Sequence, residues 1–238
     1  VSSLMYLEPY FSKKQNIITV SAEQASVFAK KVAGDVNPIH DVDAKRFCVP
    51  GDLLFALVLE EYGLSSSMEF KFQGMVGDGV DLIFPSAQAD VLEIKDTKDK
   101  TYLSAQSAGV ICQDKAKIEA FVRTYVSFSG LNFTHALLPL MEKHQVMVNP
   151  ARPLVMYESM SFELHSFDFD SVELELSEHE LLIDGKRGNV TLHFEFYSHG
   201  KKIGTGKKTL VMSGLREYQE EAIAGMRELY ESRKLKFA

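Results

Sequence analysis

Cysteine is scarce in this chain, and positive charge is outnumbered. The two cysteines, Cys48 and Cys112, are far apart in 238 residues, which excludes a disulfide framework. Cys48 reads as a small buried hydrophobe rather than a nucleophile. Lys and Arg number 26 against 33 Asp and Glu, a formal charge of −7, and this removes the electrostatic case for a nucleic-acid partner. Basic pairs such as Lys13-Lys14, Lys30-Lys31 and Lys201-Lys202 read as solvated surface. No uninterrupted apolar run is long enough to cross a bilayer, and no basic segment leads into an apolar one near Val1. The expectation is a soluble protein in a reducing, cytoplasmic setting with no membrane partner. His135, His144, His165, His179, His193 and His199 show no compact ligand spacing, so no metal site is expected.

The composition supplies a substantial core: 45% of residues are hydrophobic and 25% charged, ordinary globular values. After a strand-like Ile17-Ile18-Thr19-Val20, Ser21 and Gln24 have capping-box spacing. Ala22, Ala25, Phe28, Ala29 and Val32 then recur at helical period up to Gly34. A second helix is predicted over about 51–62, ending at Gly63. Its residues from Leu53 to Leu59 are apolar all round, so protein must surround it. Met68, Phe70 and Phe72 alternate with Glu69, Lys71 and Gln73, the period of a half-buried strand. Gly77-Asp78-Gly79 is a turn, and Val80, Leu82 and Phe84 resume the alternation. After a solvated turn at 95–100, two more strands are predicted over 101–112 and 117–128, with Gln113-Asp114-Lys115 as their hairpin.

The second half repeats this plan. Residues 70–84 align without a gap on 162–176, placing Phe70 on Phe162, Asp78 on Asp170, Val80 on Val172 and Leu82 on Leu174. Strands over about 189–198 and 203–212 follow. Leu131, Leu137, Leu138, Leu140 and Met141 suggest a second central helix, which Pro139 should kink or shorten. A buried helix followed by a meander of antiparallel strands is the hotdog pattern. The predicted fold class is therefore α+β, a tandem (double) hotdog. The expected units are 1–128, 129–213 and a C-terminal amphipathic helix in 214–238, which packs onto the body of the protein.

Between the first two helices lies Gly34-Asp35-Val36-Asn37-Pro38-Ile39-His40. An acid and an imidazole five residues apart, on a turn stiffened by Asn-Pro, form a ready acid/base pair. Asp and Asn in such a position are also ordinary turn residues, because they bond their own backbone. The segment, with Phe70-Lys71-Phe72-Gln73-Gly74-Met75-Val76-Gly77-Asp78 downstream, resembles the MaoC-like, (R)-specific enoyl-CoA hydratases over about residues 20–126. The resemblance implies that Asp35 and His40 activate water for addition to an enoyl thioester and that Asn37 braces the loop. It also implies that the N–H of Gly51, at the start of the central helix, receives the thioester oxygen. Where the family usually has an Asp two residues after the His, this chain has Val42. Its segment from His40 to Gly51 is also several residues shorter, so the pocket mouth must differ.

The chemistry of hydration suits these residues. Water must lose a proton, the α-carbon must gain one, and the developing enolate oxygen needs donors such as free N–H groups at a helix N-terminus. No cofactor is required; the expected ligand is a small-molecule acyl thioester of coenzyme A or a carrier protein. Asp41 or Asp43 is a candidate to replace the carboxylate missing at Val42. Nothing in 127–238 repeats the motif, so one site per chain is expected, with the second unit as its wall. A hotdog thioesterase and a non-catalytic double hotdog that binds an acyl thioester or a protein are the alternative readings. A homodimer is left open, since a fused pair can complete its sheet without a partner chain.

Overall fold

The computed structural model describes residues 6–86 and 90–237. A short hairpin, β1 (Ser12–Lys14) and β2 (Ile17–Thr19), leads into helix α1 (Ala22–Phe28). Its capping box is complete: Gln24 N–H donates to Ser21 Oγ at 3.2 Å and Ser21 N–H to Gln24 Oε1 at 3.0 Å. The helix widens into a π-turn, Ala29–Ala33, and stops at Gly34, whose φ of +66° is the left-handed conformation that glycine adopts without penalty. Helix α2 (Gly51–Tyr62) buries every residue from Asp52 to Glu60, so protein does surround it.

The strands that wrap the first unit are β3 (Leu64–Phe72), β4 (Asp81–Ile83), β5 (Val91–Asp96) and β6 (Thr101–Cys112). The strand predicted over 117–128 is helix α3 (Lys115–Gly130), and the predicted hairpin at Gln113-Asp114-Lys115 is its cap, Asp114 accepting from the N–H groups of Ala116 and Lys117. Its buried residues Ile118, Phe121, Val122, Tyr125, Val126 and Ser129 fall at helical spacing. β-branched and aromatic residues pull this segment toward a strand locally, but tertiary burial along one stripe decides for a helix. The position 128/129, taken from sequence as a unit boundary, lies inside α3.

A π-turn, Phe133–Leu137, and helix α4 (Leu138–His144) come next, with Pro139 at the first turn of α4, where its missing N–H costs nothing. After β7 (Val146–Met147), the second set of strands is β8 (Leu154–Leu164), β9 (Glu173–Asp184), β10 (Arg187–Ser198) and β11 (Lys201–Ser213). β12 (Arg216–Glu217) pairs with β7, and helix α5 (Glu220–Phe237) follows. Among the described residues, no helix is long and apolar enough to cross a membrane.

Ten strands form one antiparallel sheet in the order β1-β2-β4-β5-β6-β3-β8-β11-β10-β9. The fold is a tandem hotdog: two antiparallel units of matching strand order, joined edge to edge at β3 and β8, with helices packed on the inner face. At the seam Met68 faces Phe162 and Phe70 faces Met160. The gap-free alignment of 70–84 on 162–176, continued two residues back, equates Met68 with Met160 and Phe70 with Phe162, so the pairing is two-fold symmetric. One core gathers α2, α3 and the strands beneath them, including Phe55, Phe121, Phe194 and Phe196. A second lies between α4, β9–β11 and α5, where Ile223, Met226 and Tyr230 of α5 are buried. The C-terminal helix thus packs onto the body.

Candidate active site

The loop after α1 takes its shape from its own side chains. Asp35 N–H bonds the carbonyl of Ala29 at 2.8 Å, closing the π-turn. Asp35 Oδ1 accepts from Asn37 N–H at 2.9 Å, and Asn37 Oδ1 accepts from Ile39 N–H at 3.1 Å. Two successive Asx turns of this kind leave little backbone freedom, and Pro38 removes more. His40 is thereby delivered to a buried position with 8% exposure.

The imidazole is fixed at both nitrogens. His40 Nδ1 lies 2.6 Å from the carbonyl of Cys48. A carbonyl only accepts, so Nδ1 carries a proton and Nε2 is left toward Asp35, 3.4 Å from its Oδ2. That separation is an ion-pair contact, longer than a good hydrogen bond. Burial by itself would raise the Asp35 pKa, but His40 and the Asn37 N–H more than offset it and hold the carboxyl below the usual range. Burial would likewise lower His40, yet Asp35 and the Cys48 carbonyl push it above its ordinary value. Each residue thus favours the charged form of the other. Cys48 itself is half-buried, and burial pushes its thiol up to about 11, which makes it an unreactive thiol.

Neither neighbouring aspartate joins the pair. Asp41 is bound by Lys30 at 2.7 Å and by Arg233 of α5 at 2.6 Å, while Asp43 and Val42 are exposed. Arg233 also donates to the Val36 carbonyl at 2.7 Å, so α5 clamps the motif loop. From the other side α3 presses on it. A methyl group added to Gly130 would lie 2.0 Å from the Ala33 carbonyl oxygen and 3.0 Å from Asp35 N.

Gly51 opens α2 beside this loop, and its surroundings come from both units. A methyl group there would meet Tyr157 at 2.8 Å and Phe72 at 3.0 Å. Those two rings stack at 4.2 Å across the seam. The next residue, Asp52, is buried and accepts from Ser129 Oγ at 2.8 Å. Ser129 in turn accepts from Lys208 Nζ at 2.5 Å, and Asn132 Oδ1 accepts from the same ammonium at 2.9 Å. Lys208 is 3% exposed and sits over the Tyr157 ring, 4.1 Å from its centroid. Burial raises Asp52 and lowers Lys208, and each opposes the other's shift. The hydroxyls of Tyr125 and Tyr157 hydrogen-bond to each other close by.

The structure thus brings Asp35, Asn37 and His40 together on one loop and sets Gly51 at the helix start next to it. It also adds Asp52, Ser129, Asn132, Tyr157 and Lys208, none of which the motif indicates. The second half holds no copy of the motif, yet it supplies four of these five. A signal for Lys208 is present in the sequence: Lys208, Leu210 and Met212 share one phase of the β11 alternation, so a lysine lies on an apolar face. Among the described residues, no cluster of His, Cys, Asp and Glu is arranged to hold a metal ion.

The family model described as "Protein of unknown function (DUF3581)" matches residues 5–221. The chain belongs to this family. No curated protein matches the sequence significantly. Among solved structures, the chain is similar to the tesB protein MAP1729c of Mycobacterium avium subs paratuberculosis, at 10% identity and a TM-score of 0.46, covering 87% of this chain and 96% of that one. It is also similar to a conserved protein of unknown function with hot dog fold from Alicyclobacillus acidocaldarius, at 8% identity and 0.45, covering 90% and 99%. A third is a MaoC-like dehydratase, at 10% identity and 0.42, covering 87% and 99%.

Proposed function

We propose that the protein hydrates 2-enoyl thioesters, or dehydrates the 3-hydroxyacyl form, with the acyl group on coenzyme A or a carrier protein. The observation that carries this reading is the Asp35–His40 pair, 3.4 Å apart, with the outer imidazole nitrogen pinned on Cys48. In the hydration direction the water oxygen bonds to the β-carbon and its proton passes to the Asp35 carboxylate. The π-electrons move onto the thioester oxygen. His40, held as the imidazolium, then delivers a proton to the α-carbon. Proton transfer from Asp35 to His40 resets the pair. The directions of the two shifts, Asp35 down and His40 up, favour the protonation states that these roles need.

The test is a turnover assay with crotonyl-CoA, longer enoyl-CoAs and their 3-hydroxy counterparts on wild type and Asp35→Asn. Loss of at least about 10²-fold in Asp35→Asn is expected, the low end for acid–base catalysis. Equal turnover in the two proteins would refute the assignment. A second reading, a module that binds acyl thioesters without converting them, is favoured by one observation: Phe72 and Tyr157 pack closely against Gly51, where the thioester oxygen would be received. Saturable binding of acyl-CoA without turnover of any enoyl thioester by wild type would select it.

A further inference from the structure

The oxygen of an enoyl thioester gains negative charge as water adds, and it needs a donor already in place. The N–H groups at the start of α2 are the first candidates, but the rings of Phe72 and Tyr157 crowd Gly51. Directly over the Tyr157 ring lies the ammonium of Lys208. An ammonium has three N–H donors. Two of them are engaged by neutral oxygens, Ser129 Oγ and Asn132 Oδ1, and among the described residues no oxygen takes the third. A buried cation paired directly with a carboxylate would have its charge spent. Here the nearest carboxylate of the network, Asp52, is one hydroxyl away through Ser129.

The same backbone ties this ammonium to the acid/base pair. Ser129 bonds Lys208, and the next residue, Gly130, lies against Asp35 N. Asp52 bonds Ser129, and the residue before it is Gly51. We propose that Lys208, supplied by the second unit, is the electrophile of the site: its free N–H receives the thioester oxygen while Asp35 and His40 move protons on the other side of the double bond. The oxygen would take the place of the Tyr157 face as the third partner of the ammonium. No proton leaves Lys208; it holds the enolate by a charged hydrogen bond until His40 protonates the α-carbon. This assignment rests on the hydratase reading and adds a catalytic residue to it.

The charged groups that act on Lys208 are Asp52 on α2 and Asp35 on the motif loop. The Tyr157 ring of β8 lies under the ammonium, and Tyr125 of α3 hydrogen-bonds to Tyr157. Burial shifts the titration of Lys208 below the ordinary lysine value, with Asp52 and Asp35 resisting. Hydration should therefore decline as pH rises through that lowered value, as the cation is lost. The experiment uses the full chain in four forms: wild type, Lys208→Met, Asp52→Asn, and the double variant Lys208→Met/Asp52→Asn. The last removes both buried charges and so guards against a single variant that fails to fold.

Relative to Asp52→Asn, the double variant should lose about 10²–10³-fold in kcat, the usual loss for one oxyanion donor. Its KM should stay within about threefold, because the contact strengthens only as charge develops. The part of the alkaline decline that belongs to Lys208 should vanish with it, leaving the decline set by loss of the His40 proton. Turnover in the double variant equal to that of Asp52→Asn, or a loss confined to KM, would overturn the proposal while leaving Asp35 and His40 in place. Absence of turnover of any enoyl thioester by wild type would remove this proposal and the hydratase reading together.

Discussion

The two units share a strand plan but treat one matched position in opposite ways. Opposite Met68 in the first unit stands Ser107, and opposite the matching Met160 in the second stands Lys208. The first unit has the acid/base loop and a twelve-residue helix buried along nearly its whole length. The second has a sixteen-residue helix, α3, and a seven-residue helix, α4, that needs α5 as cover. Duplication of a fold therefore does not duplicate a site. One copy contributes the titrating pair and the other a buried cation, and the polar network of Asp52, Ser129 and Lys208 joins them across the helices.

This contrast can be sharpened by breaking each side in turn. The largest effect is expected at the buried charges: Lys208→Met alone leaves Asp52 without its cation and should cost about 3–5 kcal/mol, whereas the double variant with Asp52→Asn should recover most of that. Urea melts of the three variants measure the coupling, and an unchanged single variant would show that the pair is not energetically linked. Next come the cores. Leu57 in α2 and Leu140 in α4 are both fully buried, and truncation of either to Ala should cost about 2–5 kcal/mol. Leu57→Ala should lie toward the upper end, because protein surrounds α2 and leaves less room to collapse. Gly130→Ala, which drives a methyl into the Ala33 carbonyl, should cost about 1–3 kcal/mol and weaken activity more than its stability loss accounts for.

The smallest effect is a pH dependence. Asp35 lies below its ordinary value when folded, so its contribution is present above about pH 3.8 and fades as pH falls through the lowered value. His40 lies above its ordinary value, so its contribution is complete below about pH 6.5 and fades as pH rises through the raised one. The pair should stabilise the protein most between those limits. Asp35→Asn should flatten the thermal-melting profile on both sides of that window, and a profile unchanged by the substitution would contradict the ion pair.

Much of the first unit was legible in the sequence. The capping box at Ser21, the stop at Gly34, helix 51–62 and the strand over 101–112 all lie where local patterns predict them, because each is set by neighbours within a few residues. α3 was not legible as read, although its buried residues keep helical spacing. Val122, Thr124, Tyr125 and Val126 favour strand locally, and the capping role of Asp114 resembles a turn. The candidate site divides the same way. Asp35, Asn37 and His40 sit within one turn of each other and can be read as a motif. Asp52, Ser129 and Lys208 are 77 and 79 residues apart in their two contacts, and no short pattern links them. Only the phase of Lys208 within β11 hints that its ammonium is on the inner face.

The seam between β3 and β8 has a further consequence. Its two-fold register is the one that two identical chains would adopt, and a pair of identical chains would carry the same residue at both matched positions, serine twice or lysine twice. Two lysines would place two cations against one interface, and two serines none. Joining the halves covalently holds them at an effective concentration of about millimolar or more, so the seam no longer depends on how much protein is present. Each half is then released from being its own mirror partner, and a single buried cation becomes affordable.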